Sequence, residues 1–214
     1  MKRHMGLVVA FVILLAQGQG ARGQQPPSSL IDVGEYGENI YDLTKAKDWA
    51  KVGEKLRALE GAAKKLATDL KGADAGRKRL AGALKALGKA VDGKDHQATK
   101  RAANQVTLIA AEMVEPFNPQ VPTAVTRLDY YGRELEIGVA ANDATALKAR
   151  GDAMRKVWEK LQPAVKAKGG AAEAKRFSAL MAQVAAAQTV EQYSRLTAPI
   201  LDEVDNLEKV FKKN

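Results

Sequence analysis

Between Arg127 and Glu136 the chain reads Arg-Leu-Asp-Tyr-Tyr-Gly-Arg-Glu-Leu-Glu, its densest mixture of charge and aromatic rings. Wound as a helix, this run sets Arg127, Tyr130, Arg133 and Glu134 on one face at steps of three and four, and turns Leu128, Tyr131 and Leu135 toward a core. Two guanidiniums beside a phenol can hold an anion or a small polar ligand between helices. The same spacing also describes i,i+4 ion pairing, which stabilises a helix by about 0.2–0.5 kcal/mol per pair and needs no ligand.

A second cluster is acidic. Asp202, Glu203, Asp205 and Glu208 fall in one short stretch, with Asp202 and Asp205 sharing a side, as do Asp205 and Glu208. Together with Glu112 and Glu115, such carboxylates can bind Ca²⁺ or another hard cation. The Glu-x-x-His signature of di-iron bundles is missing, and a solvated acidic face is the plainer reading.

The third feature is basic. From Lys64 to Arg101 there are eleven basic and four acidic residues, so a helix there can present Lys78, Lys85 and Lys89 to an acidic protein or an anionic envelope surface. Nucleic acid does not fit, because the segment has no aromatic side chain on which a base can stack.

Much chemistry is excluded. The chain has no cysteine, which removes disulfides, thiolate catalysis, iron–sulfur clusters and covalently attached haem. His4 and His96 are the two histidines, so no histidine-pair metal site or serine-histidine-aspartate triad is legible. His96 and Met113 cannot grip one haem iron, being about 25 Å apart along a single helix. There is no phosphate loop or nucleophile elbow. No cofactor is expected.

The elements that must position these clusters follow from the apolar spacing. Residues 1–23 stand apart: Lys2, Arg3 and His4, then the apolar run Met5–Ala16, then small residues that fit a cleavage site. This is the pattern of a secretory signal peptide, too short to span a membrane. Its removal lowers the net charge from +9 to +6, since Lys2, Arg3 and Arg22 leave without an acid. The mature chain is expected in the periplasm or secreted, with no transmembrane segment.

Beyond it, leucine, alanine, lysine and glutamate recur in amphipathic stripes at helical spacing. Ser29 is expected to cap a first helix, Asp48 a second and Asp95 a fourth, with Gly72–Gly76 and Asp92-Gly93 as breaks. Pro116, Pro119 and Pro122 mark a linker. Four more helices follow, separated at Asn142-Asp143, at Gly169-Gly170 and before Val190, with Pro163 and Pro199 bending rather than ending theirs.

The second half resembles the first. At a spacing of 95 positions Tyr36, Gly37 and Asp48 match Tyr131, Gly132 and Asp143. The fold expected is therefore all-α: two tandem, duplicated antiparallel bundles of about four helices, residues 24–118 and 119–214, in preference to a solenoid. The function expected is that of an exported, non-enzymatic binding module for a protein partner or an envelope surface. A small-ligand or metal-ion carrier is the alternative.

Overall fold

The computed structural model describes residues 25–70 and 73–213. The expected signal peptide, residues 1–23, lies outside the described residues. These residues form eight α-helices and no strand, and they divide into two compact units between Asn118 and Pro119.

The first unit contains α1 (Ser28–Lys45), α2 (Trp49–Asp69), α3 (Asp74–Asp92) and α4 (His96–Val114), closed by a 3-10 turn at Glu115–Phe117. Each helix packs on its sequence neighbour, and α1 lies against α4 over its broadest interface. Leu30, Val33, Ile40, Val52, Leu59, Leu66 and Leu87 are fully withdrawn from solvent, the stripes that the spacing predicts.

The second unit contains α5 (Thr123–Ala140), α6 (Ala144–Ala167), α7 (Ala171–Ala186) and α8 (Val190–Lys212). Here α5 packs on α6 and α8, and α7 on α6 and α8. Leu128, Leu135, Met154, Phe177, Ile200 and Leu207 lie in one core, where the Trp158 and Phe177 rings meet at 4.7 Å. The Trp158 indole N–H donates to the Ser178 hydroxyl at 3.1 Å.

The tight connections share one design. After α1 the chain turns left-handed at Lys47 (φ 57°), and the Asp48 amide reaches back to the Leu43 carbonyl at 3.1 Å. The Asp48 carboxylate then accepts from the Lys51 amide and starts α2, so one aspartate ends a helix and begins the next. Asp95, after Lys94 (φ 48°), does the same between α3 and α4. Asp143, after Asn142 (φ 53°), does so between α5 and α6.

The turn after α5 repeats that after α1 bond for bond. Ala46 to Asp42, Lys47 to Thr44 and Asp48 to Leu43 correspond to Ala141 to Ile137, Asn142 to Val139 and Asp143 to Gly138. Both α1 and α5 are 18 residues long, and each follows a proline, Pro27 or Pro122.

Some boundaries differ from expectation. Ser29 is not a cap: it lies inside α1, buried, and its hydroxyl donates to the Asp69 carboxylate at 2.7 Å. Gly76 does not break the chain but sits in α3, where an added Cβ would come within 2.8 Å of the Met113 Cγ. Pro163 and Pro199, by contrast, lie inside α6 and α8 and end neither helix, as expected.

Candidate functional site

Charge is segregated among the helices. In the first unit α2 and α3 carry ten basic and five acidic residues, whereas α1 and α4 carry three and five. In the second, α6 and α7 carry eight basic and three acidic residues, and α5 and α8 five and eight. The middle pair of each unit is thus its cationic side.

Within α3 the arginines and lysines have different fates. The Arg77 guanidinium donates to the Ala67 and Leu70 carbonyls at 3.1 and 3.0 Å, closing the C-terminal end of α2, and pairs with Asp74. Arg79 pairs with Glu112 of α4 at 2.7 Å. Their planar forks are used up as staples.

Lys78, Lys85 and Lys89 are exposed and make no ion pair with any described residue. They fall opposite the buried Leu80, Ala83, Leu87 and Ala90, pointing straight out from the bundle. Along the axis they are spaced by about 10 and 6 Å. Ala81, Gly82 and Ala86 lie between them, so nothing bulky screens the row and no acid interrupts it from Ala75 to Val91.

The polar run on α5 is arranged differently. The Arg133 Nε sits 2.8 Å from the Asp129 carboxylate, and both side chains are largely covered. Glu134 is buried and faces the Arg150 Nε of α6 at 3.4 Å. The Tyr130 ring packs edge-on to Tyr131 at 5.1 Å, and Arg127 is partly buried. The four residues share α5 as expected, and the charges of Arg133 and Glu134 are matched within the unit. Arg150, sixteen positions from Glu134, was not singled out from the sequence.

The acidic residues of α8 also separate. Glu203 is buried and accepts from the Arg176 Nε at 3.1 and 3.0 Å and from the Asn206 amide at 3.1 Å. Glu208 pairs with Lys212 at 2.5 Å, while Asp202 and Asp205 are exposed. The Asp205 carboxyl is held above the ordinary aspartate range, first by loss of water around it and then by the negative charges of Asp129, Glu208 and Asp202, against which Lys209 works. Among the described residues no three histidine or carboxylate side chains are grouped to hold a metal ion, and the set Asp202, Asp205 and Glu208 is no exception.

His96 opens α4, half-buried at its first turn. Lys100 is buried, its ammonium 4.9 Å from the centre of the Tyr41 ring. The sequence had marked neither Lys100 nor Tyr41. No described helix is long and apolar enough to cross a membrane.

Of these clusters, the lysine row of α3 is the one whose exposed charge is cationic and meets no ion-pair partner among the described residues. Compared with family models, curated proteins and solved structures, the chain matches none.

Proposed function

We propose that this is an exported, non-enzymatic helical protein that docks on an anionic envelope surface through the outer face of α3. The observation that carries the reading is the division of labour on that helix: Arg77 and Arg79 are tied to the fold, and Lys78, Lys85 and Lys89 are not. A protein interface usually centres on buried aromatic or arginine anchors. This face offers alanine, glycine and flexible, strongly hydrated ammonium groups instead. Such a surface suits diffuse attraction to a plane of phosphates, at about 1 kcal/mol per lysine near the membrane.

Export rests on the basic start, apolar run and small-residue cleavage site within residues 1–23. The matching turns after α1 and α5, with their Pro27 and Pro122 starts, support an origin by tandem duplication. A carrier site around Arg127, Tyr130, Arg133 and Glu134 is less well supported, since Asp129 and Arg150 already engage two of its charges.

The test is sedimentation of the mature chain with phosphatidylglycerol-containing vesicles, compared with pure phosphatidylcholine. Binding is expected only to the former and should fade as salt rises above about 0.1 M, where the Debye length is about 10 Å. The triple variant Lys78→Glu, Lys85→Glu, Lys89→Glu should lose most of it; unchanged binding would overturn the proposal.

A further inference from the structure

We infer that the outer face of α6 is a second docking surface for the same class of phosphate-bearing lipid, resting on the function proposed above. Lys148, Lys156, Lys160 and Lys166 are exposed and make no ion pair with any described residue. Helical spacing sets Lys156 and Lys160 on the side away from the buried Leu147, Met154, Trp158, Leu161 and Val165, and Lys148 and Lys166 on one flank of that side.

The arginines of α6 repeat the division seen on α3. Arg150 turns to Glu134, and Arg155 lies between Asp152 at 3.4 Å and Glu159 at 3.9 Å, the acids that share this face. Arg176 on α7 is likewise held by Glu173 and Glu203. On α6 the Arg155 guanidinium offsets one of the Asp152 and Glu159 carboxylates, so with its four lysines the face keeps a net charge of +3. The surface around it, at Thr145, Ala149, Ala164 and Ala167, is small and offers no aromatic or arginine anchor for a protein partner. On α3 and α6 alike, every arginine is ion-paired within its unit and the lysines named here are not.

The second face is separable from the first by experiment on the full mature chain. Vesicles of phosphatidylglycerol and phosphatidylcholine are titrated at low salt with wild type, the α3 triple variant above, and Lys156→Glu, Lys160→Glu, Lys166→Glu. Helicity is checked by circular dichroism. Lys156→Gln, Lys160→Gln, Lys166→Gln serves as a milder second variant if the charge reversal fails to fold.

Loss of three lysines from α6 should weaken partitioning by on the order of tenfold or more. Unchanged partitioning of a folded α6 variant overturns the second surface and leaves the first standing. Loss on the α6 variant with none on the α3 variant removes the α3 surface and keeps this one. Wild type that binds polyglutamate, titrated in parallel as an acidic polypeptide, but not the vesicles would overturn the assignment to lipid.

Discussion

Arg176 on α7 lays its guanidinium Nε 3.1 and 3.0 Å from the two carboxylate oxygens of Glu203 on α8, and Glu203 is buried. A buried carboxylate without a cation is costly, because the low-dielectric surroundings do not replace its water. The pair thus locks two helices whose apolar stripes alone leave their register loose.

Arg176→Ala should destabilise the protein, since Asn206 is then the one side chain left donating to Glu203. Thermal unfolding should reveal the loss. The double variant Arg176→Met, Glu203→Leu should regain much of it, because the orphaned charge has gone too. A double variant as unstable as the single one would assign the effect to packing instead.

Gly37 and Gly132 occupy corresponding positions on α1 and α5 but face different neighbours. A Cβ at Gly37 would lie 2.7 Å from the Thr107 Oγ1 and 3.2 Å from the Ala103 carbonyl and the Thr107 amide, so the α4 backbone itself must retreat. At Gly132 the nearest atom is the Leu201 Cδ2 at 2.7 Å, the end of a flexible side chain. Gly37→Ala is expected to cost about 1–3 kcal/mol and Gly132→Ala clearly less, as read from denaturant midpoints. Equal losses would contradict this account of the two helix approaches.

Asp205 supplies a pH dependence. Its folded-state value is raised, by loss of water first and then by Asp129 on α5 and Glu208 and Asp202 on α8; Lys209 opposes this, and Arg133 is the cation paired with Asp129. The folded chain therefore takes up a proton here before the unfolded chain does. Ionised Asp205 weakens the fold at neutral pH, and that penalty disappears as pH falls through the folded value and then the unfolded one near about 3.9. Asp205→Asn should raise stability at pH 7, and the melting temperature with it, by a small amount of under about 1 kcal/mol, because solvent screens an exposed residue. Its advantage should vanish below about pH 4. A variant less stable than wild type at pH 7 would refute the repulsion.

Local signals were the legible ones. Asp48, Asp95 and Asp143 each precede an apolar stripe and each proves to cap a helix, because capping needs only the residue and the three that follow. Gly76 misled because a glycine looks alike whether it ends a helix or clears space, and here the space belongs to Met113 on another helix. Ser29 misled for a related reason: its hydroxyl was given to a carboxylate forty positions away instead of its own backbone. Glu203 and Arg150 act across helix pairs, and no periodicity within one helix reports which opposite charge a neighbour brings. The lysines of α3 were readable since exposure follows directly from the stripe opposite them. That the nearby arginines were spoken for was not.

The link from the Ser29 hydroxyl to Asp69 sets a limit on trimming the front of the chain. Scission after residue 23 spares both the Pro27 carbonyl, which receives the Leu30 amide, and this clasp between the first helical turn and the last turn of α2. A cut six or seven residues further on would remove the Pro27 carbonyl and the Ser29 hydroxyl together, and with them the start of α1 and its bond to Asp69 of α2.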